Sequence, residues 1–236
     1  MTYLKILLIR HAQSLGNIQR LMEGQSSTEL SALGQDQAQR LSRALVSIGG
    51  HAQLPTHVYT SPLLRAAQTA QPLTEALQQA NHSFTSCQMN GLKEIDQGIF
   101  QGMTWPQAQM AYPEICTRLL SSLAWQPVPG AESPTAARER ASNWISHLLN
   151  THQPGETIWV VSHEGILQHI IAALLGCDRT WRTKIAHTAI FEFWLAASQW
   201  QHLAHNRFNP EYWQIRRFND SSHLTDKPQG QGSKPT

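Results

Sequence analysis

Two places in the chain set a histidine just after an apolar run. Ile6-Leu7-Leu8-Ile9 ends in Arg10-His11, and the stretch Thr157 to Val161 ends in Ser162-His163. An imidazole can act as nucleophile, base or metal ligand, while the Arg10 guanidinium offers a planar fork of donors suited to phosphate or carboxylate. A third junction, VYTSPLLRAAQTA from Val58, puts Arg65 on the first turn of a helix that follows a strand. Unpaired N–H groups and the helix dipole favour an anion there. Brought together, these ends make a pocket of two arginines, two histidines and a helix N-terminus, which suits a dianionic phosphate. The plainer alternative at each junction is a strand that leaves the core and meets ordinary polar residues.

The elements that must converge follow from the hydrophobic pattern. A run apolar on both faces suits a central strand covered on both sides, and open α/β sheets place their ligand crevices at the carboxyl ends of such strands. Arg10 to Leu30 is rich in Gln, Ser, Gly and Asn and reads as a functional loop. Ser31 caps a helix to about Ile48, Val58 to Thr60 is a short strand, and Leu63 to Ala80 is a long helix. Phe84 to Met89 and Leu92 to Ile95 look extended, with much of Asn90 to Gly102 in turns. Thr104 to Leu123 reads as one or two helices interrupted at Pro113, and Ser133 to Leu149 as another. Thr157 to Val161 is a strand, Gly165 to Leu175 a helix, and Thr188 to Leu195, Trp200 to His205 and Tyr212 to Phe218 are strands. This order predicts a three-layer α/β/α sandwich: a mostly parallel central sheet with an antiparallel edge, in one domain over residues 1–225. Residues of about 103–135 form a cap-like excursion, and 226–236, without an apolar residue, form a disordered tail.

Five segments together resemble the histidine phosphatase (phosphoglycerate mutase-like) superfamily. RHAQSLGN at 10–17 is similar to R-H-G-E-S-x-x-N, LSALGQDQA at 30–38 to L-T-x-x-G-x-x-Q-A, and SPLLRAAQTA at 61–70 to S-x-L-x-R-A-x-Q-T-A. LKEIDQGIFQG at 92–102 and VVSHEG at 160–165 resemble L-x-E-x-x-x-G-x-x-x-G and V-S-H-G-G. The resemblance implies that His11 is the nucleophile and forms a phosphohistidine. Arg10 and Arg65 then clamp the phosphoryl group, His163 stabilises its charge, Asn17 donates to it, and Glu94 is the proton donor. An attacking imidazole must be neutral, and the neighbouring Arg10 and Arg65 cations are expected to keep it so. A carboxyl acting as acid needs burial or a nearby dianion to stay protonated. Asp96 and Glu132 are further acid candidates. Three positions depart from the motifs: Ala12 and Glu164 stand where glycine is usual, and Gln13 where glutamate is frequent. Glu164, if turned inward, opposes an anionic substrate.

Composition narrows the alternatives. Eighteen Lys and Arg residues against sixteen acidic ones leave a formal charge of +2, which gives no field pointing to nucleic acid or a membrane. Cys87, Cys116 and Cys177 are isolated, which disfavours a disulfide framework and a structural zinc site. His163-Glu164 with His169 is not H-E-x-x-H, and His202 with His205 alternates poorly, so no metal ligands and no cofactor are assigned. With no signal peptide or apolar span in the sequence, a cytoplasmic protein is expected. The partner is a small phosphorylated metabolite, and a homodimer is expected from the resemblance. A metal-independent phosphomonoesterase acting on L-phosphoserine is the leading reading. A phosphoglycerate mutase and a non-catalytic phospholigand-binding protein are its rivals. Gln25 and His82 are candidates to meet the phosphoserine carboxylate.

Overall fold

The computed structural model describes residues 2–46, 54–177, 179–180, 183–196 and 211–225. The expected strand at 200–205 and the tail at 226–236 lie outside them. Six strands form one mixed sheet: β1 (Leu4–Arg10), β2 (His57–Thr60), β3 (Thr85–Gln88), β4 (Thr157–Ser162), β5 (Ile190–Leu195) and β6 (Trp213–Asp220). Their spatial order is β3-β2-β4-β1-β5-β6. The first four are mutually parallel, and β5 runs antiparallel to both β1 and β6.

The alternation of β1 shows why its apolar run is continuous. Leu4, Ile6 and Leu8 face one layer of helices, α6 (Pro134–Thr151) and α7 (Glu164–Leu174), in a core with Trp144, Leu148, Ile166 and Ile170. Leu7 and Ile9 face the opposite layer, α2 (Ala32–Val46) and α3 (Leu64–Gln79), against Leu41, Leu45 and Leu73. Both faces of the strand are covered, so neither can be polar. No helix among the described residues is long and apolar enough to cross a membrane.

Two local expectations are corrected, and a third holds. The loop after β1 holds a short helix, α1 (Leu15–Ile18). Its cause is a reciprocal cap, in which Ser14 Oγ accepts from Asn17 N at 3.0 Å and Asn17 Oδ1 from Ser14 N at 3.1 Å. Residues 92–95 are not a strand, because Asn90–Leu92 closes a 3-10 turn. The segment Thr104 to Leu123 divides at Tyr112 into α4 (Trp105–Ala111) and α5 (Pro113–Ser121), since Pro113 cannot continue the first helix. These two helices pack through Trp105, Ala108 and Cys116 on Phe100 and Met22, in an apolar cluster separate from the sheet. Backbone bonds from Met22 N to Met103 O (2.8 Å) and Gly102 N to Met22 O (2.9 Å) tie them to the loop after β1.

That loop is pinned from below as well. Ser31 Oγ caps α2 by accepting from Gly34 N (3.0 Å) and donates to Gln13 Oε1 (2.9 Å). Gly34 lies so near that a Cβ there would stand 2.0 Å from the Gln13 carbonyl oxygen. Gln13 therefore serves the α2 cap, and its side chain does not set the charge of the pocket. Replacing Gly34 with alanine should lower stability by roughly 1–3 kcal/mol, as overpacking against backbone does. An unchanged urea midpoint in that variant would contradict the close approach.

Candidate active site

Adjacency in the sheet assembles the site. Arg10 pairs with Ser162 across the β1–β4 ladder, so the residues that follow, His11 and His163, stand side by side with ring centroids 5.0 Å apart. After β2, Ser61 N bonds Val161 O at 3.0 Å and sets Ser61 Oγ 2.7 Å from His163 Nε2. The first turn of α3 then brings in Arg65.

The two buried arginines are held from behind. Arg65 Nη1 and Nη2 donate to the carbonyls of Ser26 and Gly24, each at 2.7 Å. Arg10 Nη1 donates to Ile185 O and pairs with Glu164 Oε2 at 3.0 Å. Among the described residues, four buried side-chain nitrogens have no hydrogen-bond partner: Arg10 Nε, Arg65 Nε, His163 Nδ1 and Trp159 Nε1. Three of the four belong to this cluster. A buried donor left unpaired costs about 1–3 kcal/mol, so three in one place mark a site built to meet an acceptor.

His11 carries its proton on a defined atom. Its Nδ1 lies 2.7 Å from Ala12 O, and a carbonyl oxygen only accepts, so Nδ1 donates and Nε2 keeps its lone pair. Burial, then His163, Arg65 and Arg10, push this imidazole well below the ordinary value of 6.5. The expected cations contribute, but desolvation is the larger cause. His163 is pushed down likewise, by burial first and then by Arg65 and Arg10. Ala12 is accommodated without strain. Its backbone is not left-handed, its N–H donates to Thr69 Oγ1 at 3.0 Å, and its methyl packs with Leu30 and Ala38.

Glu94 is seated at the amino end of α7. Gly165 N reaches its Oε2 at 3.1 Å, and Ile166 N and Ile95 N reach its Oε1 at 3.0 and 2.9 Å. The seat needs Gly165, where a Cβ would stand 2.7 Å from Glu94 Oε1. Glu132 is not a second acid here. It holds Arg140 by two bonds of 2.8 and 2.6 Å, and Arg140 in turn donates to Gly91 O and Lys93 O, fixing the turn that carries Glu94. Asp96 accepts from Gly98 N at 2.8 Å and supports the same turn.

Arg10, His11, Asn17, Arg65 and Glu94 line one open cleft of about 200 Å³, with Met22, Glu23, Gln97 and Glu164 on its walls. Asn17 Nδ2 donates to Glu23 Oε2 at 2.7 Å, and its Oδ1 takes the ring proton of His187 at 2.9 Å. Gln25 is near, its amide donating to Glu94 O at 3.2 Å. His82 is not, since it bonds Pro55 O ahead of β2, at the far end of the sheet.

Two residues beside the motif cluster escaped the sequence reading. Glu23 is buried and accepts from Ser14 Oγ (2.9 Å), Thr28 Oγ1 and Asn17, and its Oε2 lies 3.9 Å from Arg65 Nε. The His187 ring lies tilted against His11 with centroids 6.3 Å apart, and burial followed by Arg10 lowers its pKa to about 4. One signal pointed to it. A strand antiparallel to β1 must begin where β1 ends, so the residue ahead of β5 arrives at the site. Thr188 follows with φ +56°, a conformation strained for a β-branched residue, and is held by Arg10 O (3.1 Å) and His223 Nε2 (2.9 Å).

With this geometry in place, comparison with known proteins decides the family. The model of the histidine phosphatase superfamily (branch 1) matches residues 6–207. The chain belongs to that superfamily. It is 27% identical to phosphoglycerate mutase-like protein 4 of Arabidopsis thaliana over 225 residues, 95% of this chain and 88% of that one. It is 30% identical to the metal-independent phosphoserine phosphatase of the same plant over 169 residues, 70% of this chain and 66% of the relative. The alpha-ribazole phosphatase structure from Shigella flexneri shares the fold, with a TM-score of 0.74 at 22% identity over 92% of this chain and 97% of that one.

A histidine whose pKa is lower in the folded chain takes up its proton more readily when unfolded. The stability held by neutral His11, His163 and His187 is therefore complete above about pH 6.5 and is lost as pH falls, in the case of His187 towards about 4. Urea unfolding of the ligand-free protein should give a smaller free energy at about pH 5 than at about pH 7.5. Equal values would show that these rings titrate normally.

Proposed function

We propose that the chain is a metal-independent phosphomonoester hydrolase working through a phosphohistidine at His11. The supporting observation is the unprotonated His11 Nε2, set beside the unpartnered donors of Arg10, Arg65 and His163. Nε2 attacks phosphorus, and the bond from phosphorus to the ester oxygen breaks. Glu94 gives its proton to the departing alkoxide. Its carboxylate then takes a proton from water, and the resulting hydroxide attacks the phosphohistidine, releasing phosphate and restoring His11. With Ser61 Oγ donating to His163 Nε2, the ring proton of His163 sits on the unpartnered Nδ1, where it is available to a phosphoryl oxygen. Positive charge comes from the two guanidiniums, so no step needs a metal ion.

The walls bear on the substrate. A cleft of about 200 Å³ is below the span of roughly 300–1,000 Å³ usual for larger ligands, which favours a small metabolite. Among the described residues its lining holds no Lys or Arg besides Arg10 and Arg65, whereas Glu23, Glu94 and Glu164 are acidic. Phosphoglycerate and phosphoserine both carry a carboxylate, so what separates them on these walls is the ammonium group, for which the acidic side chains offer partners. L-Phosphoserine is our preferred substrate, with Glu164 facing the ammonium. Glu164 is held for this by Arg10 and by Ile185 N at 3.2 Å. The mutase reading is supported by the likeness to phosphoglycerate mutase-like protein 4.

Replacing His11 with alanine should abolish turnover and phosphoenzyme trapping without loss of fold, and Glu94→Gln should slow hydrolysis roughly 10²–10⁴-fold. Full activity in either variant removes that residue from the mechanism. In a panel of phosphomonoesters assayed with chelator, phosphoserine should rank among the best by kcat/KM. Isomerisation of 3-phosphoglycerate should be slower than phosphate release. Glu164→Gln should lower kcat/KM for phosphoserine about fivefold, the scale of one partly exposed ion pair, and leave phosphoglycolate unharmed. If both substrates fall alike, Glu164 supports Arg10 and does not select the amine.

A further inference from the structure

A second polar cluster sits at the amino ends of the strands, across the sheet from the cleft. His57 opens β2, Glu156 comes just before β4, and His152 caps the end of α6. Their ligand-capable atoms all lie within 4.8 Å of one another. His152 Nδ1 is 3.2 Å from Glu156 Oε2, and His57 Nδ1 is 3.7 Å from Glu156 Oε1. Two donors that each stand about 2.0–2.1 Å from a tetrahedral zinc are about 3.4 Å apart, so the observed spacings bracket those of shared ligands.

The surroundings fit the same role. A metal-binding histidine needs a partner on its other nitrogen to fix the tautomer and the ring plane. The Nε2 of buried His152 has one in Tyr59 Oη, at 2.9 Å. The carboxylate is anchored too, since Glu156 Oε2 accepts from Gln153 N at 2.6 Å. His57 and Glu156 keep 26% and 28% of their side-chain surface open, which leaves an entry path from solvent.

We propose that His57, His152 and Glu156 form a zinc-class site, two imidazoles and one carboxylate, that staples the end of α6 to the starts of β2 and β4. Imidazole and carboxylate ligands in this number suit zinc among the available divalent ions, and cobalt can replace it as a probe. Three protein ligands leave the fourth position of the ion to water, and the site stands apart from the cleft. Residue 57 and Ser61, which supports His163, lie at opposite ends of β2, about 13 Å apart at 3.3 Å per residue. Chelation should therefore leave the hydrolytic step intact, and the proposal stands or falls separately from the function assigned to the cleft.

The test uses the full chain, stripped with chelator and titrated with ZnCl2 by calorimetry and with CoCl2 by visible absorption. One zinc per chain with micromolar or tighter Kd, and a Tm raised by several degrees, is the expected result. His57→Ala and Glu156→Gln should each weaken binding at least tenfold and remove the Tm shift. Both should keep wild-type phosphatase activity and the Tm of the stripped protein. The second variant retains an oxygen for Gln153 N, so it preserves the local fold. Binding weaker than about 100 μM, or binding unchanged in both variants but lost in His11→Ala, would overturn the proposal.

Discussion

The parallel register of β1 on β4 is the constraint on which the rest depends. Because Arg10 pairs with Ser162, the two histidines that follow emerge at one height and within contact of each other. A slip of one residue would turn His11 to the opposite face and carry Leu4, Ile6 and Leu8 out of the α6–α7 core into the α2–α3 layer. Each such buried side chain is worth about 1.5–3 kcal/mol, so several together outweigh any single polar contact in the cleft. The position of His11 is thus set by apolar packing several residues away from it.

Within that frame the electrostatics are arranged before any ligand arrives. Both guanidiniums are fixed through their terminal nitrogens to loop carbonyls and, for Arg10, to Glu164, which leaves the inner nitrogens aimed elsewhere. Holding two buried cations together is unfavourable unless they are paired, and Glu23 and Glu164 supply the opposing charge. A cluster ordered in this way need not reorganise as charge develops on a phosphoryl group, which is where such sites gain their advantage.

Much of this was legible in the sequence, for physical reasons. Runs apolar on both faces identified the central strands, and motif residues at their ends identified Arg10, His11, Arg65 and His163. What escaped detection is long-range or conditional. Glu23 looks like an ordinary loop acid until Ser14, Asn17 and Thr28 fold around it. His187 depends on the direction of β5, which periodicity does not report. The His57–His152–Glu156 cluster joins residues whose spacing follows no ligand motif, because β2 and β4 become neighbours only in the sheet. The helix at Leu15–Ile18 needed a side-chain bond from Asn17 that the composition of the loop obscured.

Thr188 has a consequence for the way the site comes into being. Its left-handed backbone costs of order 1–3 kcal/mol, offset by contacts to Arg10 near one end of the chain and His223 near the other. The contact to Arg10 spans most of the sequence, so that loop must close before it forms, whereas the contact to His223 spans only 35 residues. The turn at Thr188, and with it the placement of His187 beside His11, is therefore fixed only once the chain has closed from β1 round to β5.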